Sequence, residues 1–219
     1  MRIVLVLLAV ACMSVAPVLG DDYTFEKTAE LPDDLPASLA EKVQPNGCKV
    51  VGPRRDLCAI WLLKDVAQKK DFSPSLAVKY PFTPGQLIGV IEVPRRSGLT
   101  DFKGQEIERG LYALRYGQQP MDGNHIGTSD TADFLLAVPM ADDADPAPIA
   151  DQVELFANSA EAAGTTHPAI FSLLPVESDS AEPGLTHDED DEFWILQLVA
   201  PSGDKQVPLR MIVVGESKG

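Results

Sequence analysis

Three histidines stand in this chain of 219 residues, and two of them sit where an imidazole could meet a ligand. His125 lies in the turn-rich run Pro120-Met121-Asp122-Gly123-Asn124-His125-Ile126-Gly127, and His167 in Gly164-Thr165-Thr166-His167-Pro168. Two imidazoles with a carboxylate are ligands for zinc or another transition metal, so His125, His167 and Asp122 form a candidate metal set. An imidazole beside a guanidinium can instead hold an anionic or polyhydroxylated ligand. Arg115 and Tyr116 precede the His125 loop, and Asp133 follows it. The candidate ligand-binding set is therefore Arg115, Tyr116, Asp122, Asn124, His125, Asp133 and His167. The competing reading is structural: Asn124 and His125 satisfy backbone groups of a long loop, and His167 caps a helix end.

For these residues to meet, the chain between them must go out and come back. Asp133 to Val138 reads as an apolar strand running away from the His125 end; six or seven residues of strand cover about 20–23 Å. A helix from 146 to 163, about eighteen residues, covers roughly 27 Å and returns the chain to its starting end. Its apolar residues Ile149, Val153, Phe156, Ala157 and Ala160 form one stripe. Asp145 suits the N-cap, Pro146 the first helical position and Gly164 the C-cap.

The remaining elements read as strands bounded by Gly and Pro. Cys48 to Val51 and Leu57 to Leu63 form a hairpin around Gly52-Pro53-Arg54-Arg55-Asp56. Leu76 to Tyr80, Gln86 to Val93, Gly110 to Gly117, Pro168 to Leu174, Glu192 to Val199 and Val207 to Val214 follow. Tyr112, Leu114 and Tyr116 fall on one face of their strand, and Leu111, Ala113 and Arg115 on the other. A short helix from Pro36 to Val43 buries Leu39 and Val43. The fold class is mostly β: an antiparallel, jelly-roll-like sandwich with one crossover helix and a short N-terminal helix.

Composition limits the partners. The chain carries 18 basic and 33 acidic side chains, a net charge of −15. That argues against binding nucleic acid or an anionic membrane surface. Two acidic stretches, Asp142 to Asp145 and Glu177 to Glu192, read as solvated loops; calcium is the alternative, but no Asp-x-Asp-x-Asp-Gly loop is present. Met1 to Gly20 has the make-up of a signal peptide with cleavage before Asp21. Cys12, in a poor lipobox, is an alternative lipidation point. Nothing later in the chain is long and apolar enough to span a membrane. Cleavage removes Arg2 and no acid, taking the charge from −15 to −16. It also removes Cys12, leaving Cys48 and Cys58, which an exported protein is expected to bridge as a disulfide. Residues 21–35 are polar and without period, a flexible acidic arm ahead of one domain from 36 to 219. Trp61 and Trp194 are expected in the core and His187 on the surface.

Phosphate-binding loops, Gly-x-Ser-x-Gly, Cys-x-x-Cys and His-Glu-x-x-His are all absent. Four phrases carry a resemblance: Gly110-Leu111-Tyr112-Ala113-Leu114-Arg115-Tyr116-Gly117, Asp122-Gly123-Asn124-His125, Asp133-Phe134-Leu135-Leu136 and Gly164-Thr165-Thr166-His167-Pro168. Over residues 35 to 215 the chain resembles an uncharacterised family of exported bacterial β-rich proteins. The resemblance implies a periplasmic, envelope-associated or secreted single-domain protein and no activity. The first expectation is a non-enzymatic module that binds a small molecule, glycan or protein, without a cofactor. The alternatives are a metal-dependent enzyme using His125 and His167 with a carboxylate, and a structural envelope protein.

Overall fold

The computed structural model describes residues 22–28, 30–120, 128–176 and 182–218. Two antiparallel sheets make the body. The larger has seven strands: β1 (Thr24–Thr28), β2 (Gly47–Val51), β3 (Asp56–Leu62), β4 (Leu87–Val93), β5 (Gly110–Gln118), β6 (Asp133–Pro139) and β7 (Ile170–Ser172). The smaller has three: β8 (Gly184–Asp188), β9 (Phe193–Ser202) and β10 (Lys205–Val214). The mostly β, two-sheet architecture expected from the strand spacing is present. Strand order follows chain order in both sheets. They are meanders, and among the described strands none makes the crossing a jelly roll would require.

Both faces of the large sheet are covered, which is why β4, β5 and β6 are apolar almost throughout. Its inner face, including Cys58, Ile60, Leu114 and Tyr116, packs on Leu196, Leu198, Leu209 and Met211 of the small sheet. Its outer face, including Trp61, Ala113 and Leu136, is roofed by α1 (Ala37–Ala40) through Leu39 and by α2 (Gln152–Ala160) through Leu155. The expected alternation of β5 holds: Tyr112, Leu114 and Tyr116 face inward, Leu111 and Ala113 outward. A bridge between Leu173 and Met211 joins the two sheets at the β7 edge.

The crossover helix starts later than its caps suggested. α2 begins at Gln152, with Asp151 accepting from the backbone N–H of Val153 at 2.9 Å and Glu154 at 3.3 Å. Pro148 disfavours helical geometry at Ala147. The carbonyls of Asp145 and Ala147, which an earlier start would need, are held by Arg115. The buried stripe is accordingly Leu155, Ser159 and Ala160, with Phe156 half-buried, while Val153 is 78% exposed. After a 3-10 turn over Glu161–Ala163 the helix ends at Gly164 with φ of 60°, the left-handed cap its sequence predicts.

Three other expectations change. Leu76 to Tyr80 is irregular rather than a strand. Pro74 and Pro81 flank it, Leu76 is 93% exposed, and the Lys79 N–H goes to a side chain. Residues 24–28, within the expected arm, are edge strand β1, and residues 184–188, within the expected acidic loop, are edge strand β8. Both are short and polar, as exposed sheet edges usually are. Their strand character comes from the ladder with β2 or β9 more than from apolar alternation.

Cys48 and Cys58 are free thiols, which corrects the expected bridge. The hairpin pairs Cys48 with Ile60 and Cys58 with Val50, so the cysteines are diagonal neighbours. Such positions lie about 7–8 Å apart, beyond the roughly 4.4–6.8 Å Cα separation a disulfide accepts. Burial pushes the Cys48 thiol up to about 12 and raises that of Cys58 as well, so neither is a ready nucleophile. The protein without residues 1–20 is expected to show two thiols to a colorimetric disulfide reagent only after unfolding. An intact mass that rises on reduction would overturn this.

Candidate functional site

Arg115 and Tyr116 are neighbours on β5, so their side chains leave opposite faces of the sheet. That separates them at once. Arg115 is fully buried beneath the connection from β6 to α2. Its guanidinium forms a two-pronged ion pair with Asp143, from Nε and Nη2. Nη1 donates to the carbonyls of Gly85 and Ala147, each at 2.8 Å, and Nη2 to the carbonyl of Asp145. All five N–H donors are used, which leaves none for a ligand. Arg115 is a clasp for residues 143–147, which corrects its placement in the ligand-binding set. Asp143, read from sequence as part of a solvated acidic stretch, is its buried counter-ion.

On the inner face, Tyr116 donates its hydroxyl to Asp133 and receives a hydrogen bond from Gln118 Nε2 at 2.8 Å. Asp133 also accepts from the Lys79 backbone N–H at 2.6 Å. Tyr80 continues the network, donating to the Leu174 carbonyl at 2.7 Å and accepting from the Arg210 N–H at 3.1 Å. Burial raises the Asp133 carboxyl above its ordinary range, and the donated hydrogen bonds offset part of that rise. The Tyr116 hydroxyl is raised by burial first and by the Asp133 carboxylate second. Both side chains are inaccessible, so this pair ties the irregular 75–80 segment to the sheet and contacts no solvent-borne ligand.

His167 behaves differently. It lies half-buried beyond Gly164, and its Nδ1 sits 2.9 Å from the Pro168 carbonyl. Since a carbonyl only accepts, Nδ1 carries a proton and donates it to Pro168. The ring borders a pocket of about 350 Å3 at the far end of β5 and β6. Phe102, Phe134, Leu136, Phe156 and Ile170 supply its apolar walls. At Gly117 a Cβ would come within 2.2 Å of Leu136 Cδ1, so the missing side chain makes room for Leu136 in the floor of the pocket. Lys103, Gln118, Gln119, Thr128 and Ser217 supply polar groups.

Asp122, Asn124 and His125 lie outside the described residues. Pro120 and Thr128, which border them in sequence, line the same pocket as His167. The metal set needs His125 and Asp122 and so has one described member, His167. Among the described residues no three His, Cys, Asp or Glu side chains gather as metal ligands. His187 is exposed, as expected, and its ring stacks on Trp194 with centroids 4.5 Å apart. Trp194 is itself half-buried, whereas Trp61 is in the core as expected.

Sequence reading missed the pocket walls. Phe102 and Lys103, Phe156, and Ser217 come from three separate segments, and no spacing rule joins them. One signal was legible: a glycine within a strand, Gly117, marks a close approach or an opening. The buried pairing of Arg115 was legible in part, since an inward-facing arginine demands a counter-charge. Comparison with known protein families, with curated proteins and with solved structures gives no match.

Proposed function

We propose that this chain is an exported, non-enzymatic binding protein whose ligand enters the pocket beside His167. One observation carries the reading: an open cavity of about 350 Å3 with aromatic and aliphatic walls and a few polar groups. That is the usual make-up of a small-molecule site. Residues 1–20 support export, and so does the resemblance of the Arg115 and His167 phrases to exported bacterial proteins. Among the described residues no helix is long and apolar enough to cross a membrane.

Titration with the neutral fluorophore N-phenyl-1-naphthylamine tests the pocket. Saturable, one-to-one binding is expected. Gly117→Leu should abolish it, because the new side chain drives Leu136 out of its place in the floor and into the pocket, and Phe156→Trp, which crowds the wall from α2, should weaken it at least fivefold. Circular dichroism checks that each variant is folded. Absent saturable binding, or binding unchanged in both folded variants, would remove the proposal in favour of a structural envelope role. Export has its own test: expressed with its leader in a bacterium, the protein should appear in the periplasm with Asp21 as its first residue. A mature chain beginning at a lipidated Cys12 would show the anchored alternative instead.

A further inference from the structure

We infer that the ligand of this pocket is an apolar molecule carrying one anionic head group, held by Lys103 and His167. The inference rests on the binding-protein reading above and adds the chemical class of the ligand. It follows from which polar groups of the lining are already engaged. Gln118 gives its amide N–H to Tyr116, and Gln119 gives its own to Thr128 Oγ1 at 2.7 Å. Ser217 donates its hydroxyl to the Thr128 carbonyl at 2.8 Å. These groups close the polar side of the pocket by bonding to one another and to the sheet.

Two groups are left over. The Lys103 ammonium has no hydrogen-bond or ion-pair partner among the described residues. Nearby Asp101 is no competitor for it. Its carboxylate is buried and accepts from the backbone N–H groups of Lys103, Gln105 and Ile170 and from the Gln105 amide. Glu216, which lies against Gly104, forms no ion pair with Lys103. His167 has its Nδ1 engaged with the Pro168 carbonyl and its Nε2 without a partner.

An ammonium is a point charge with three donors, and a protonated imidazole adds one more. A carboxylate has the oxygens to accept from both, in charge-assisted bonds roughly twice as strong as neutral ones. The other surfaces of the pocket are apolar and suit an alkyl or aryl body. A neutral apolar molecule would make no use of the exposed Lys103 charge at the rim, and a polyol would leave the phenyl walls unused. An aryl- or alkyl-carboxylate uses both.

The test is displacement of N-phenyl-1-naphthylamine by 4-phenylbutyrate and by 4-phenyl-1-butanol, which share a body and differ in charge. The carboxylate is expected to bind at least tenfold tighter than the alcohol. Lys103→Met should cut that preference to threefold or less, with the alcohol affected by less than twofold. His167→Phe should weaken the carboxylate selectively. Equal binding of the two compounds, or a preference unchanged in Lys103→Met and His167→Phe, overturns the anionic head group and leaves the pocket reading standing. Failure of the fluorophore itself to bind overturns both.

Discussion

Replacing Arg115 with methionine is expected to cost about 3–5 kcal/mol of folding stability, the range for breaking a buried ion pair from one side. The methionine fills much of the volume but carries no donor. It leaves the Asp143 carboxylate buried without its counter-charge and the carbonyls of Asp145 and Ala147 without a donor, while the Gly85 carbonyl keeps the Ile149 N–H at 3.1 Å. Gly85 sharpens the case. A Cβ there would lie 1.8 Å from the Ile149 carbonyl oxygen, so the 143–149 connection already sits against the turn before β4. Denaturant unfolding measures the loss, and a change under 1 kcal/mol would contradict the clasp. Arg115→Lys should recover little, because an ammonium cannot match the two-pronged contact. Arg115→Met combined with Asp143→Leu should be more stable than Arg115→Met alone. It should still fall short of the parent, because the Asp145 and Ala147 carbonyls remain unpaired.

Removing the Asp133 carboxyl is the second large perturbation. Asp133→Ala leaves the Tyr116 hydroxyl and the Lys79 N–H buried without their acceptor. At about 1–3 kcal/mol for each of the two stranded donors, the expected cost is about 2–6 kcal/mol. Asp133→Asn keeps one carbonyl for Lys79 and should cost less, with a diagnostic pH dependence. The folded carboxyl is raised above its unfolded value, chiefly by desolvation. Between the two values the native state therefore holds more protons than the unfolded state. The parent thus loses stability as pH rises through that window, and asparagine does not. The stability deficit of Asp133→Asn should be greatest at low pH and shrink toward neutrality. A deficit that grows with pH would show the carboxylate is favoured by its site and would reverse the assignment.

The sequence-based set around the histidines was a hypothesis about convergence, and its described members separate by face and depth. Arg115 and Tyr116 were readable as strand residues pointing opposite ways, and they do. Alternation alone could not say that the outer face would be roofed by the 143–147 connection, burying the guanidinium. Asp143 was hidden among three charges in four residues, Asp142, Asp143 and Asp145, because a local run does not reveal which carboxylate turns inward. His167 keeps its place at a ligand-accessible rim because Gly164 ends the helix one turn before it, and that cap was legible. The hairpin was legible too, but a bulge between Val50 and Val51 set the register that left the cysteines diagonal. Turn composition does not encode that register.

From the amino-acid order alone came the properties that are local or summed: the apolar N-terminal run, the acidic charge, most of the strands, and the capped end of the helix between β6 and β7. These follow from backbone preferences and side-chain periodicity, which act within a few residues. Tertiary structure alone decided the properties that depend on segments far apart in the chain. It engaged every donor of Arg115, sealed Tyr116 and Asp133 into the core, and kept the two cysteines apart. It also gathered Phe102, Lys103, Gly117, Phe156 and His167 around one cavity. The physical reason is that a site's chemistry depends on which polar groups are left unpaired after folding, and pairing is settled by the neighbours the fold supplies.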